Sequence, residues 1–301
     1  MYAPPPIVKT EVFARLPDHF RKKEATSEWF QAQPGSLSAH SLLEGPSFDI
    51  NGSLYCVDIP WGRIFRIDPA GTFKLIAEYD GEPNGLKIHR DGRIFIADYK
   101  QGILVLDPTT GTVTPFLQRI RLERLKAVND LVFASNGDLY FTDQGMSGLH
   151  DPTGRVIRVR ATGEIDCLLD NVPSPNGIVL DPSEKVLYVA VTRANAVWRV
   201  PLMKDGTVAK VGTYIQLSGG VGPDGLAIDE AGNLAVAHVG LGVIWLFSAR
   251  GEPMLRIETC AGHHTTNVAY GGKDRKTLFN TESTTGSIIK SEMTVAGMRM
   301  F

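Results

Sequence analysis

Six polar residues recur at matched places along the chain: Glu44, Asn84, Asn129, Asn176, Asp224 and Asn267. The intervals between them are 40, 45, 47, 48 and 43 residues, and every one carries a side-chain oxygen. A set of oxygen donors suits a hard divalent cation, Ca²⁺, Mg²⁺ or Mn²⁺, better than a softer one. Two carboxylates facing one such ion leave the site near neutrality, whereas an unpaired buried carboxylate is costly. The competing reading of any single Asn-Gly pair in this set is a turn residue. That reading is weakest for Glu44 and Asp224, which stand at equivalent positions without the Asn-Gly signature.

Residues so far apart converge only if repeated elements carry them. Each sits in a short motif followed by an alternating run, a Gly- or Asp-rich turn and a second alternating run. Examples are Pro83-Asn84-Gly85-Leu86 with Ile94–Asp98, and Pro223-Asp224-Gly225-Leu226 with Leu234–His238. Asp-Gly and Asn-Gly turns supply the positive φ of tight hairpins, and the β-branched and aromatic residues between them suit packed strands. A strand-rich period of 40–50 residues is that of a propeller blade, with room for four strands. In the second copy these fall at 85–89, 93–98, 102–107 and 113–117. The pattern predicts an all-β, six-bladed β-propeller of four-stranded blades, forming a single domain over residues 1–301. The first strand of each blade lines the channel, so the six entry residues face one axis.

The sixth copy ends near Lys290–Thr294 without a fourth strand. The strand-like stretch Val8–Ala14 is expected to supply it, closing the ring and removing two free edges. Residues 15–43 fall outside the repeat and contain Phe20, Trp29 and Phe30. They are expected to form a short helix or loop on one end of the ring, either as surface packing or as a lid over the channel.

Further candidates lie around the entry set. Asp58, Asp98, Asp143, His238 and Glu282 end the second strands, where they either reach the site mouth or pair with turn amides. His150, His263 and His264 lie in loops and could carry protons near neutral pH. Asn84, Asp143, His150, His238 and Asn267 are the candidate substrate contacts. No Gly-x-Ser-x-Gly elbow, P-loop or dinucleotide fingerprint is present.

Composition narrows the class. Of the 301 residues 43% are hydrophobic and 21% charged, with a formal net charge of −2. That balance argues against disorder and against nucleic-acid binding. No apolar run approaches the roughly 18 residues of a membrane span, and Met1–Pro6 lacks the features of a secretory leader. Cys56, Cys167 and Cys260 are widely spaced and odd in number, as expected of reduced, buried thiols in a cytoplasmic protein. A monomer or homodimer acting on a small molecule is expected.

Several motifs together carry a resemblance: Glu44-Gly45-Pro46, Asn129-Asp130, Ser174-Pro175-Asn176-Gly177, Gly222-Pro223-Asp224-Gly225-Leu226 and Thr266-Asn267-Val268-Ala269-Tyr270-Gly271-Gly272. Their order and spacing over about residues 40–295 resemble the regucalcin/gluconolactonase family of six-bladed propellers, which includes diisopropylfluorophosphatase-like enzymes. The resemblance implies metal ligands at Glu44, Asn176 and Asp224, with Asn129 as a fourth ligand or a substrate contact. It implies calcium first, with magnesium, manganese or zinc as alternatives, and hydrolysis of a lactone with Asp224 as catalytic base or nucleophile. A phosphotriesterase on the same centre and a non-enzymatic metal-binding propeller are the rival readings. Sugar-lactonase members carry an Arg two residues before the third-blade Asn. Here that position is Ala127, with Lys126 beside it, so a less polar or bulkier lactone competes with an aldonolactone.

Overall fold

Strands form where the alternating runs predict them, and the intervening glycines turn the chain. The computed structural model describes residues 4–23, 25–33 and 39–299. It is a six-bladed β-propeller. The inner strands are Leu43–Phe48, Pro83–Ile88, Val128–Phe133, Pro175–Leu180, Gly222–Ile228 and Thr265–Gly271. Each touches the inner strand of both neighbouring blades. In the second blade the four strands run Pro83–Ile88, Ile94–Asp98, Gly102–Leu106 and Val113–Leu117, within two residues of expectation.

The hydrophobic core is divided rather than central. Six apolar clusters each fill one seam between adjacent blades, for example Val132, Tyr140 and Val156 of the third blade against Ile178, Leu187 and Val189 of the fourth. Threonine hydroxyls stitch the seams near the axis. Thr142 Oγ1 donates to the Asn176 carbonyl (2.7 Å), Thr192 Oγ1 to that of Pro223 (2.8 Å) and Thr266 Oγ1 to that of Leu43 (2.8 Å). The last of these joins the sixth blade to the first.

Closure differs from the expected single strand. Glu11–Arg15 pairs antiparallel with Ser287–Glu292 and completes the sixth blade. Ile7–Lys9 instead pairs parallel with the outer strand Pro253–Glu258 of the fifth blade. Thr10 makes the crossing: its hydroxyl donates to the Glu258 carbonyl and accepts from the Cys260 amide, both at 2.9 Å. The stretch read as one strand is therefore two, on two blades.

The non-repeat segment holds a 3₁₀ turn at Asp18–Phe20 and a short helix at Glu28–Ala32. The Ser27 hydroxyl caps the helix by accepting from the Phe30 amide (3.2 Å). Trp29 and Phe30 are buried in the seam between the first two blades, and the Phe20 ring meets that of Phe65. These anchors fix the segment at the end of the ring where the inner strands begin. Residues 24 and 34–38 of the lid reading lie outside the described residues. The cysteine expectation is corrected: Cys56 is buried, but Cys167 and Cys260 are exposed because they sit on outer-strand and loop positions. A small hairpin, Arg119–Ile120 with Glu123–Arg124, was not anticipated. Among the described residues no helix is long and apolar enough to cross a membrane.

The inner strands approach so closely that side chains are excluded at some points. A Cβ on Gly177 would lie 2.8 Å from Gly225 Cα, and one on Gly225 2.6 Å from Asn267 Cα. Gly177→Ala should therefore cost about 1–3 kcal/mol by overpacking, measured by chemical denaturation. Gly212→Ala, at a position with open space, is the control. Equal midpoints for the two variants would contradict close approach at the axis.

Candidate active site

The channel end is built by one repeated irregularity. Pairing between first and second strands shifts register at the entry residue in all six blades. The shifts fall between Glu44 and Ser47, Pro83 and Gly85, Val128 and Leu131, Pro175 and Ile178, Pro223 and Leu226, and Thr265 and Val268. A bulge leaves a residue out of the ladder and re-aims its side chain. In the third and sixth blades a second-strand hydroxyl takes the amide so released. Thr142 Oγ1 accepts from Asp130 N and Thr281 Oγ1 from Asn267 N, both at 3.1 Å.

The fold brings Glu44 and Asp224 within range of each other's charge. Glu44 is buried and Asp224 half-buried. Burial pushes the Glu44 carboxyl well above the usual carboxylate range, and the charges of Asp224 and Asp130 add to it. Hydrogen bonds from Asn267 Nδ2 (2.8 Å) and the Gly45 amide oppose the rise. Enclosure by the channel raises Asp224 to about 8. A hydrogen bond from Asn176 opposes that rise, Asp130 reinforces it, and the Arg193 guanidinium opposes it. Two carboxyls held in this state lack a positive charge between them.

Asn176 Oδ1 is buried and accepts no hydrogen bond among the described residues. Buried polar atoms normally find partners, so this orphan, beside two carboxyls whose proton affinity is raised, fits a cation. Asn129 donates through Nδ2 to Gln144 Oε1 (3.2 Å), which reserves its Oδ1 as the remaining oxygen. Glu44, Asn129, Asn176 and Asp224 thus offer two carboxylates and two amides, a hard-cation donor set. Among the described residues no three His, Cys, Asp or Glu side chains converge as ligands. Asp130 therefore acts on the centre through its charge rather than as a third carboxylate ligand.

The other sequence candidates separate into two groups. Asn84 and Asn267 are buried at the channel wall. Asn267 uses both ends of its amide, donating to Glu44 and accepting from Val268 N (2.8 Å), so it orients the glutamate. Asp143 and His238 are clasps. Asp143 accepts from the Lys126 and Ala127 amides (2.7 and 2.9 Å) and from Arg155 Nε (2.8 Å). His238 Nε2 meets the Gly219 carbonyl (2.9 Å), and its Nδ1 accepts from Trp245 Nε1 (3.2 Å). Burial lowers its pKa, so the ring is neutral, with the proton on Nε2. Asp58, Asp98 and Glu282 likewise accept from the loops that lead into their own inner strands. His150 is exposed on the third-blade loop.

Several residues emerge that the sequence candidates did not include. Lys87 is buried with its Nζ 3.4 Å from Asp130 Oδ1. The Tyr99 hydroxyl donates to Gln144 Oε1, and Gln144 Nε2 to Ser174 Oγ (2.9 Å), forming a bracket behind Asn129. Ser174 stands at φ 65, a conformation costly for a side-chain residue. It is held there by Ser147 Oγ, which accepts from its amide (3.0 Å). Arg193 rises at the channel mouth from the fourth-blade turn Thr192–Ala194. Asp130 was visible only as the neighbour of Asn129, and the others lack any motif of their own.

Comparison with known proteins bears on the fold and the family. A family model described as SMP-30/Gluconolactonase/LRE-like region matches residues 42–284. Lactonase drp35 of Staphylococcus aureus (strain MRSA252) is 34% identical over 227 residues, covering 71% of this chain and 69% of the relative. Among solved structures, a calcium-binding protein, regucalcin, from Agrobacterium tumefaciens superposes with a TM-score of 0.76 at 22% identity, covering 98% of both chains. A gluconolactonase from Xanthomonas campestris superposes with a TM-score of 0.74 at 20% identity, covering 96% of this chain and 99% of that one. Those two likenesses concern the fold. The family model and the drp35 identity establish the relationship: the chain belongs to the SMP-30/gluconolactonase/LRE-like family.

Proposed function

We propose that this chain is a divalent-cation-dependent hydrolase that opens a lactone ring at the channel centre. One observation carries the reading. Glu44 and Asp224 share a buried centre that raises both carboxyls, and Asn176 Oδ1 stands beside them without a partner. Membership of a lactonase-containing family and 34% identity to lactonase drp35 support the reaction class. Calcium is the first cation to test, because the similarly folded regucalcin of Agrobacterium tumefaciens is a calcium-binding protein.

Glu44, Asn129, Asn176 and Asp224 would hold the cation. When bound, it supplies Lewis-acid polarisation of a carbonyl oxygen and stabilises negative charge developing there. Asp224 does the bond-making chemistry, as a base that takes a proton from water or as a nucleophile on the acyl carbon. In the base route the water oxygen bonds to the acyl carbon, the acyl–oxygen bond of the ring breaks, and the ring oxygen takes up a proton. The product is a hydroxy acid. Asn176 steadies Asp224 through a hydrogen bond, Asn267 steadies Glu44, and the Tyr99–Gln144 bracket steadies Asn129.

Asp224→Asn should lower lactone turnover about 10²–10⁴-fold while leaving the circular dichroism spectrum of the propeller intact. Unchanged turnover would remove Asp224 from the chemistry. In the nucleophile route an Asp224 oxygen bonds to the acyl carbon as the ring acyl–oxygen bond breaks, and water then cleaves the anhydride at the Asp224 carbonyl. In a single turnover in ¹⁸O water, label in the Asp224 carboxylate identifies that route, and label in the product alone excludes it.

The raised carboxyls also fix a pH dependence. A carboxyl at about 8 in the folded chain keeps a proton that the unfolded chain loses near its ordinary value of about 4. Without cation, stability should therefore fall as pH rises from about 4 to about 8 and then level. Cation and proton compete, so adding Ca²⁺ to metal-free protein in dilute buffer at neutral pH should release protons, and the affinity should rise towards pH 8. Calorimetry in buffers of different ionisation enthalpy reads both. Binding without proton release would contradict the raised pair.

A further inference from the structure

We infer that Arg193 reads the substrate, its guanidinium overhanging the channel mouth to pair with a carboxylate carried by the lactone. The inference deepens the lactonase reading above and rests on it.

Position comes first. The peptide leading into Arg193 is bolted between two inner strands. Thr192 N donates to the Ser174 carbonyl (3.1 Å), two residues before Asn176, and Thr192 Oγ1 donates to the Pro223 carbonyl (2.8 Å), one residue before Asp224. Asn195, at φ 50, closes the turn with its amide on the Thr192 carbonyl (3.0 Å). Arg193 thus leaves from a rigid point between two of the proposed ligands.

Direction follows from its neighbours. A Cβ placed on Gly148 of the third blade would lie 3.8 Å from Arg193 Cγ, so the stem leans sideways across the entrance. Its charge is felt by Asp224 of the fifth blade and by the Tyr99 hydroxyl, which reaches the third blade at Gln144. Arg193 therefore stands within electrostatic range of the proposed centre.

The head is exposed, and among the described residues no carboxylate forms an ion pair with it. A planar guanidinium presents two parallel N–H groups that match a carboxylate, a fit that an ammonium lacks. Exposed Met146 and Leu149 adjoin Gly148 in the chain, and exposed Val221 precedes Gly222, which abuts Thr192. Such apolar neighbours reduce the competition of water for the pair and give the substrate's carbon skeleton apolar contact. Charge permits the anion. Lys87, Arg193 and a bound divalent cation together exceed the carboxylates Glu44, Asp130 and Asp224 by one positive charge. Ala127 offers no side-chain donor, and its backbone is used by Asp143 and Gln144. The channel's free arginine thus comes from the next blade.

The test compares two lactones of the same ring and aliphatic arm, one ending in a carboxylate and one in its methyl ester. Arg193→Met should lower the ratio of their kcat/KM values (acid over ester) about tenfold or more, chiefly through KM of the acid, and Arg193→Lys should recover part of it. Calorimetry with the corresponding non-hydrolysable lactams should show the same loss for the acid form. An unchanged ratio, or lactam affinities that do not distinguish acid from ester in the natural chain, overturns the inference. If neither lactone is turned over but the acid lactam binds in an Arg193-dependent way, the lactonase reading falls and the carboxylate site stands.

Discussion

The whole structure depends on how closely six inner strands can crowd around one axis. The seams at the axis are narrow enough that Gly177 and Gly225 have no room for a side chain. Where the residue after the entry position is larger, at Asp130 and Val268, the adjoining seam is closed by a threonine hydroxyl on the next blade's carbonyl. Crowding also explains the bulges. A regular ladder would alternate side chains across the blade, whereas the register break at each entry residue turns one polar side chain out of that alternation.

Bringing those side chains together concentrates like charge. Glu44, Asp130 and Asp224 lie within range of one another, and among the described residues Lys87 alone pairs closely, with Asp130. The unfavourable centre is tolerated because its surroundings are over-determined. Each second strand that ends in an acid or His238 clasps the loop that feeds its own inner strand. Ser174 is held at positive φ by three neighbours for the same reason. Ser174 and the desolvated carboxyls lie at the channel end of the ring, while six separate apolar seams carry the stability.

Much of this was legible in the sequence because a repeat reports on itself. The spacing of the six entry residues gave blade number and strand order. The reading erred where local chemistry has two uses. The competing turn reading of the Asn-Gly pairs does not hold at Asn84-Gly85 and Asn176-Gly177, which sit inside inner strands where the glycine admits the next blade. Val8–Ala14 read as one strand because no Gly or Pro interrupts it, and Thr10's two backbone partners divide it. Asp143 and His238 sit at the right end of the ring but face their own loops. Arg193, Tyr99 and Gln144 occupy turns or strand ends, where position in three dimensions leaves no periodic trace.

The split N-terminal segment has a consequence for how the chain reaches this state. Lys9 pairs with Glu258, 249 residues away, and the strand after it joins the third strand of the last blade. The segment Ile7–Arg15 therefore has no strand partner until the outer strands of the fifth and sixth blades exist. Until then the fifth and sixth blades expose open edges, and the Glu44 seam lacks its Thr266 and Asn267 contacts. Contacts of such long range make folding slow, and ring closure and completion of the centre become a single late event.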